Sequence, residues 1–306
     1  MNKPKIVVVG SSNTDMIIKG TKIPAPGETV VGGTFATAPG GKGANQAVAA
    51  ARAGGDVVFV ARVGDDMMGK QALAGFEQEG IDVSKIRVDS SAASGVALIM
   101  VDEKGQNSIS VALGANDALS PEDVDAASDA IRGAKVVVLQ LETPLETVER
   151  AARLGRDSGA IVLLDPAPAP SAPLPESLLS LVSAIKPNET EASQLTGVRV
   201  TDVASAQAAA EKLLALGIQT VVITLGESGL FAATQDGVRF SLPSVKVDAV
   251  DATAAGDAFS GAFAVALAEG RDLRDAAEFA TKAASLSVRK LGAQPSLPTR
   301  QEIENF

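Results

Sequence analysis

Cysteine, histidine, tryptophan and tyrosine are all missing from the 306 residues, and phenylalanine alone supplies the 3% of aromatic side chains. Each absence removes a kind of chemistry. Without cysteine there is no disulfide framework and no thiolate to act as nucleophile or metal ligand. Without histidine the commonest mover of protons near neutral pH is gone, so any proton transfer falls to a carboxylate or a lysine. Positive charge is scarce as well: 27 Lys and Arg stand against 37 Asp and Glu, for a formal net charge of -10. Such a surface repels phosphate backbones and anionic lipid, which argues against nucleic acid and membranes as partners, and small anions need local positive sites instead. The chain runs from "MNKPK" directly into "IVVVG" without a signal-peptide pattern. With no cysteine, a cytoplasmic protein is expected.

Hydrophobic residues make up 46% of the chain, enough for a large core in one big α/β domain or two smaller ones. Short β-branched runs ("KIVVVG", "DVVFVARVG", "KVVVLQLE", "AIVLLDP", "SAIKPNE", "TVVITLG") alternate with helical patterns such as "ANQAVAAARAG" and "AQAAAEKLLALG". Near-continuous apolar strands separated by helices predict a mostly parallel central sheet flanked by helices on both faces. Two stretches, 16–39 and 94–114, read instead as strand, turn, strand with no helix between. They are expected to pair into a small sheet outside the main core, a lid of the kind that closes over a site. The whole of 1–306 is then one α/β domain with those two segments inserted in it. The proline-rich stretch 165–177, "DPAPAPSAPLPES", reads as a connector after a strand end.

Three glycine-rich stretches differ in weight. Gly64, Gly69 and Lys70 imitate a phosphate-binding P-loop, but Gln71 replaces the Ser or Thr that would reach a metal, and the spacing is set aside as chance. "GSSNTD" after the first strand lacks the later glycines of a dinucleotide fingerprint. In "APGGKGANQAVAAA", Gly40, Gly41 and Gly43 permit a tight turn, Lys42 adds a cation and a helix begins, a combination that points to a polar ligand. Glu142 ends a buried strand, where open α/β sheets bind their ligands; an ordinary surface glutamate is the alternative.

The most informative stretch is "DATAAGDAF", residues 251–259. Asp257 read alone is a helix N-cap. The preceding Ala254, Ala255 and Gly256, however, are too small to cover the N–H groups of the helix start, which carries about half a positive charge and can hold an anion. An acid beside an anion hole suits moving a phosphoryl group onto a hydroxyl: the carboxylate accepts the proton while the amides hold charge developing on phosphate oxygens.

"GGKGANQAVAAARAG", "LGANDALS", "QLETP", "PNETEASQLTG", "TLGESG", "VDATAAGDAFSGAF" and "GAQPS", in this order, resemble the carbohydrate kinases of the ribokinase family over nearly the whole chain. The resemblance implies a helix-flanked central sheet, a β-sheet lid that often forms a homodimer contact, and ATP-dependent phosphorylation of a sugar's primary hydroxyl. Among the family's sugars it favours D-ribose, phosphorylated at O5, with deoxyribose, fructose or a phosphosugar as alternatives. The small aromatic content disfavours a nucleoside, whose base usually needs stacking.

Carried over position by position, the resemblance makes Asp257 the base and gives the anion hole to Ala254, Ala255 and Gly256. Sugar binding falls to Asn13, Asp15, Gly41, Lys42, Asn45 and Glu142, together with Asp257. For ATP and its Mg2+ it implies Asn188 and Glu191, the loop Thr224, Leu225, Gly226, Glu227, Ser228 and Gly229, and also Gly256 and Thr281. A potassium site is implied at Asp251, Thr253, Ser287, Lys290, Gly292 and Ser296, mostly through main-chain carbonyls. One departure stands out: Ala252 occupies a position where the family usually has Thr or Ser, so one hydroxyl near that ion is missing. Two other classes stay open from residues alone. A non-catalytic sugar-binding protein of the same fold would release no ADP, and a nicotinamide enzyme would bind NAD without binding ATP.

Overall fold

The computed structural model describes residues 3–170 and 172–306, so Met1, Asn2 and Ser171 of the proline-rich stretch lie outside the described residues. The strands are β1 (Lys5–Val9), β2 (Asn13–Lys19), β3 (Thr34–Gly40), β4 (Asp56–Gly64), β5 (Ile86–Asp89), β6 (Gly95–Val101), β7 (Asn107–Ala112), β8 (Val136–Leu139), β9 (Ile161–Leu164), β10 (Ala184–Ile185), β11 (Thr220–Thr224), β12 (Leu230–Thr234) and β13 (Arg239–Leu242). Helices of two turns or more are α1 (Lys42–Arg52), α2 (Met67–Gln78), α3 (Leu145–Asp157), α4 (Glu189–Thr196), α5 (Val203–Ala215), α6 (Ala255–Ala268) and α7 (Leu273–Ser287).

Nine strands form the main sheet in the order β13-β12-β11-β10-β9-β8-β1-β4-β5. Its pairings are parallel from β5 through β11, and β12 and β13 complete one edge in antiparallel register. Alternate residues of each strand feed two separate cores. Val7, Val9, Val137, Leu139 and Val162 pack with α3 and α5 on one face, while Ile6, Val8, Val136, Val138 and Leu163 pack with α1, α6 and α7 on the other. This explains why the strands are apolar at every position: both faces are covered. The antiparallel edge was not foreseen, because β12 and β13 follow β11 through short turns that have no helical stretch to mark a crossover.

The four-stranded smaller sheet has the order β3-β2-β6-β7. Its two central strands, β2 and β6, run parallel, and each pairs antiparallel with its own hairpin partner. β2 begins at Asn13, three residues before the expected boundary, because Asn13 pairs with both Gly40 and Gly95. Asn13 and Asp15 therefore lie on a strand of the smaller sheet and not in a loop. Among the described residues, no helix is long and apolar enough to cross a membrane.

Candidate active site

The end of the smaller sheet turns directly into α1, and that turn requires glycine. Gly41 has φ 90°, and a Cβ on it would lie 2.7 Å from the Asn13 amide nitrogen, so a side chain would be both strained and blocked. The turn brings the start of α1 against the ends of β1 and β8. Glu142 Oε2 accepts from Ser11 Oγ at 2.5 Å and from the Lys42 main-chain N–H at 3.0 Å. Glu142 thus anchors the helix start and is no ordinary surface acid. It sits past the end of β8, which stops at Leu139, and not on the strand.

α6 begins with the other half of the site. Its N-cap is Ala254, in the left-handed conformation at φ 61° and with no capping side chain. Asp257 does not cap its own helix. Its carboxylate reaches across to α1, where Oδ2 accepts from Asn45 Nδ2 and Oδ1 from Gln46 Nε2, both at 2.9 Å. The isolated-cap reading of Asp257 is thereby excluded. Of the three residues expected to form the anion hole, Ala255 already donates its amide to the Ala252 carbonyl at 3.2 Å. Among the described residues the Ala254, Gly256 and Asp257 amides make no main-chain bond.

Charge is concentrated here. Burial raises the Asp257 carboxyl above the usual carboxylate range; Lys42 opposes this, Asp165 adds to it, and the Asn45 and Gln46 amides oppose it. Burial also works against the Lys42 ammonium, but Asp257, Asp165, Glu142 and Glu191 hold it above its ordinary value. Among the described residues Lys42 Nζ makes no ion pair. Asp15 is pushed up to about 6 by burial, Glu142 and Asp257, in that order. The Asn45 Oδ1 atom is buried without a partner. A cation, an acceptor and two carboxylates thus converge between the two sheets, the donor and acceptor set that a polyhydroxylated ligand requires.

Behind this cluster lie residues that the sequence reading missed. Asp165 Oδ2 accepts from Lys186 Nζ at 2.9 Å, Gln46 Nε2 at 2.8 Å and Ser260 Oγ at 2.9 Å. The start of the proline-rich stretch is therefore a buried polar hub, and the connector reading is corrected at Asp165. Asn116 is also new: its side chain accepts from the Ser12 N–H at 2.8 Å and donates to Asn13 Oδ1 at 2.8 Å, which fixes the strand that carries Asn13 and Asp15.

Asn188 and Glu191 form a capping box at the start of α4. The Glu191 carboxylate accepts from the Asn188 N–H at 2.8 Å and from Asn188 Nδ2 at 3.0 Å. Burial and Asp165 raise its pKa, with Lys186 opposing. The loop from Thr224 to Gly229 joins this corner, since Asn188 and Thr224 form a parallel bridge and the Thr224 N–H donates to the Pro187 carbonyl at 3.0 Å. Thr281 stands apart, half-buried on α7, with its hydroxyl on the Ala277 carbonyl.

The remaining expected residues form a separate cluster before α6. The Val250 and Asp251 amides both donate to the Val288 carbonyl, and Asp251 accepts from the Thr253 N–H, the Thr253 hydroxyl and the Gly292 N–H. Burial works against the Asp251 charge, but those donors hold its carboxyl below the usual range. The Ser287 and Ser296 hydroxyls point to the Ala284 and Ala293 carbonyls, and the Lys290 ammonium pairs with Glu302. The Lys290 ammonium has no lone pair, so only its main chain could face an ion, whereas the two serine oxygens keep theirs. Among the described residues there is no group of three or more Asp or Glu that could cage a metal.

Residues 3–300 match the family described as pfkB family carbohydrate kinase. The chain belongs to this family. A ribokinase of Haemophilus influenzae is 45% identical over 301 residues, covering 98% of this chain and 97% of its own. A deoxyribokinase of Salmonella typhi is 38% identical over 301 residues, covering 98% of both chains. The structure of Arabidopsis thaliana ribokinase complexed with ribose and ATP aligns with a TM-score of 0.91 at 34% identity, over 99% of this chain and 98% of that one. In a pfkB-family carbohydrate kinase, a phosphotransferase with an alcohol acceptor, a buried acid beside uncapped helix amides has an immediate chemical use.

Proposed function

We propose that this chain transfers the γ-phosphoryl group of ATP to O5 of D-ribose, with Asp257 as general base. The observation that carries the reading is a single contrast: Asp257 ignores its own helix start and is held by Asn45 and Gln46 beside free amides. Its raised pKa brings it toward the working pH, where a base is most effective. Asn13, Asp15, Gly41, Lys42, Asn45 and Glu142 bind the sugar in this reading. Among the described residues Asn45 Oδ1 is buried without a hydrogen-bond partner and the Lys42 ammonium makes no ion pair, which favours a ligand rich in hydroxyls.

Thr224 to Gly229, Gly256 and Thr281 are assigned to ATP. Asn188 and Glu191 are tied up in their capping box, and each Glu191 oxygen already accepts one bond. That donor set fits Mg2+ held through water and phosphate oxygens, the usual habit of this ion, better than a protein cage. Bound there, the ion would screen phosphate charge. A potassium ion would be held by the ionised Asp251 with carbonyls of Thr253, Ser287, Lys290, Gly292 and Ser296, where the missing hydroxyl of Ala252 weakens the set by one donor.

The smaller sheet is proposed as a lid that excludes water from the transfer step and pairs with a second copy. Its exposed Ile18, Phe35 and Leu98, on one face, support that pairing. A cytoplasmic location accords with the cysteine-free composition. The test is ADP release over ribose, deoxyribose, fructose and adenosine for the native chain and Asp257→Asn. Ribose is expected to be the preferred acceptor, and the variant to turn over roughly 10²–10⁴-fold more slowly with sugar binding kept. Near-native turnover by Asp257→Asn would overturn the base assignment, and a preference for deoxyribose would move the substrate to that of the Salmonella typhi relative.

A further inference from the structure

We propose that Gln46 is a positioning residue: locked by Gln140, its amide stands between two buried carboxylates and presents Asp257 to the sugar as an unshared acceptor. The inference rests on the reading of Asp257 as the base. Gln46 is fully buried on α1, whose other buried residues are Gly43, Asn45, Val48 and alanines, and its Nε2 has two hydrogens. One goes to Asp257 Oδ1 at 2.9 Å and the other to Asp165 Oδ2 at 2.8 Å. The amide is thus used up, with one N–H on each acid.

The amide cannot turn over. Gln46 Oε1 accepts from Gln140 Nε2 at 2.7 Å, so a flipped amide would aim its oxygen at two carboxylates and its N–H at another N–H. Gln140 fits at this depth only because residue 10 is glycine, where a Cβ would lie 2.0 Å from Gln140 Oε1. Asp165 cannot swing away either, since Lys186 and Ser260 hold the same oxygen that Gln46 touches.

Without those N–H groups the two buried acids lose the donor they share, and like charges in one buried site favour the retention of a proton. A base that already carries a proton cannot take the sugar's. The charged groups around Asp257 are Lys42 at the start of α1, Asp165 and Lys186 after β9 and β10, and Asp15 on β2. Lys42 favours the ionised form, Asp165 and Asp15 oppose it, and the Gln46 amide adds to the favourable side. Removing the amide therefore moves the Asp257 titration upward.

The experiment compares kcat and sugar KM across pH 5–9 for the native enzyme, Gln46→Met and Asp257→Asn, with thermal melts as a check on folding. Gln46→Met keeps the length and loses both donors. It is expected to lower kcat at neutral pH by up to about tenfold, to leave sugar KM within about threefold, and to raise the acid limb of the kcat profile by about one pH unit. A side chain that only filled space would lower the melting temperature and leave that limb in place. If Gln46→Met does not fold, Gln140→Met replaces it, since it frees the Gln46 amide without touching either acid, and an upward shift of about half a unit is expected. An acid limb that coincides with the native one in the folded variant overturns the inference. Should that happen while Asp257→Asn is inactive, only the Gln46 role fails. Near-native turnover of Asp257→Asn would sink the base reading beneath it.

Discussion

Gln46, Gln140, Asp165, Lys186, Asp257 and Ser260 form the floor of the site, none of them more than 6% exposed, whereas Phe35 and Leu98 of the smaller sheet stand 65% and 55% exposed. The floor is tied together by hydrogen bonds between elements, often more than a hundred residues apart in the chain, as with Gln46 and Asp165. In the smaller sheet the strand ladder fixes position, with Asn116 pinning one end of β2, and large apolar side chains on its outer face stand exposed. The sugar-binding candidates lie at the join, Asn13 and Asp15 on β2 and Lys42 and Asn45 on α1. One half of the site is held by burial and hydrogen bonds between elements, and the other stands on a sheet whose outer face is exposed.

The comparison breaks first if the floor tolerates loss of a charge. Lys186→Met leaves Asp165 buried with Gln46 and Ser260 as its only donors, and such an uncompensated acid costs about 3–5 kcal/mol. The prediction is a loss of that size in denaturant unfolding at neutral pH, with most of it recovered in Lys186→Met/Asp165→Leu, where no charge is left unpaired. A loss below about 1 kcal/mol, the range of an exposed pair, would mean the floor is no more constrained than the surface.

Asp15 sharpens the contrast because it lies on the smaller sheet but faces charges outside it, Glu142 and Asp257. Its folded-state pKa, about 6, lies above the ordinary aspartate value of 3.8. The folded protein therefore binds the extra proton between those values, so stability falls as pH rises through that window and the full penalty is present above about 6. Asp15→Asn is expected to unfold at higher temperature than the native chain at pH 7.5, by at most about 3 kcal/mol, with the gain vanishing below about pH 4. In the native chain sugar KM is expected to rise about tenfold for each pH unit below 6, because a protonated Asp15 loses acceptor capacity. Sugar titrations in buffers from pH 5 to 8 measure this directly.

How much of this was legible in the sequence depends on how local each feature is. Strand and helix alternation, the glycine turn at Gly41 and the small residues before Asp257 are written within a few positions of one another, and they were read. The floor was not, because Gln46 meets Asp165 and Asp257 only after the strand order brings β9 beside β8 and β1. A signal was nevertheless present. Asp165 directly follows the apolar run "IVLL" and Lys186 follows "AI", the strand-end position that had singled out Glu142. A lone glutamine in the alanine-rich stretch "ANQAVAAA" was a second hint, since a helix buried nearly all round keeps a polar side chain only where a partner satisfies it.

The smallest effect is expected on the outer face of the smaller sheet. Phe35 pairs across the ladder with Ile18, which lies beside Met100, and Leu98 lies next to Met16, so these side chains share one face. Phe35→Glu together with Leu98→Glu places two charges where the native chain already meets solvent, and the stability of the single chain should change by no more than about 0.5 kcal/mol per site. Association should respond much more, because burying two carboxylates against a second copy would be prohibitive. Light scattering is expected to show the native chain as a pair and the double variant as single chains with an intact melt. A double variant that stays paired would move the contact elsewhere on the surface. One that unfolds would show that this face is stabilised within the chain after all, and the contrast with the floor would be lost.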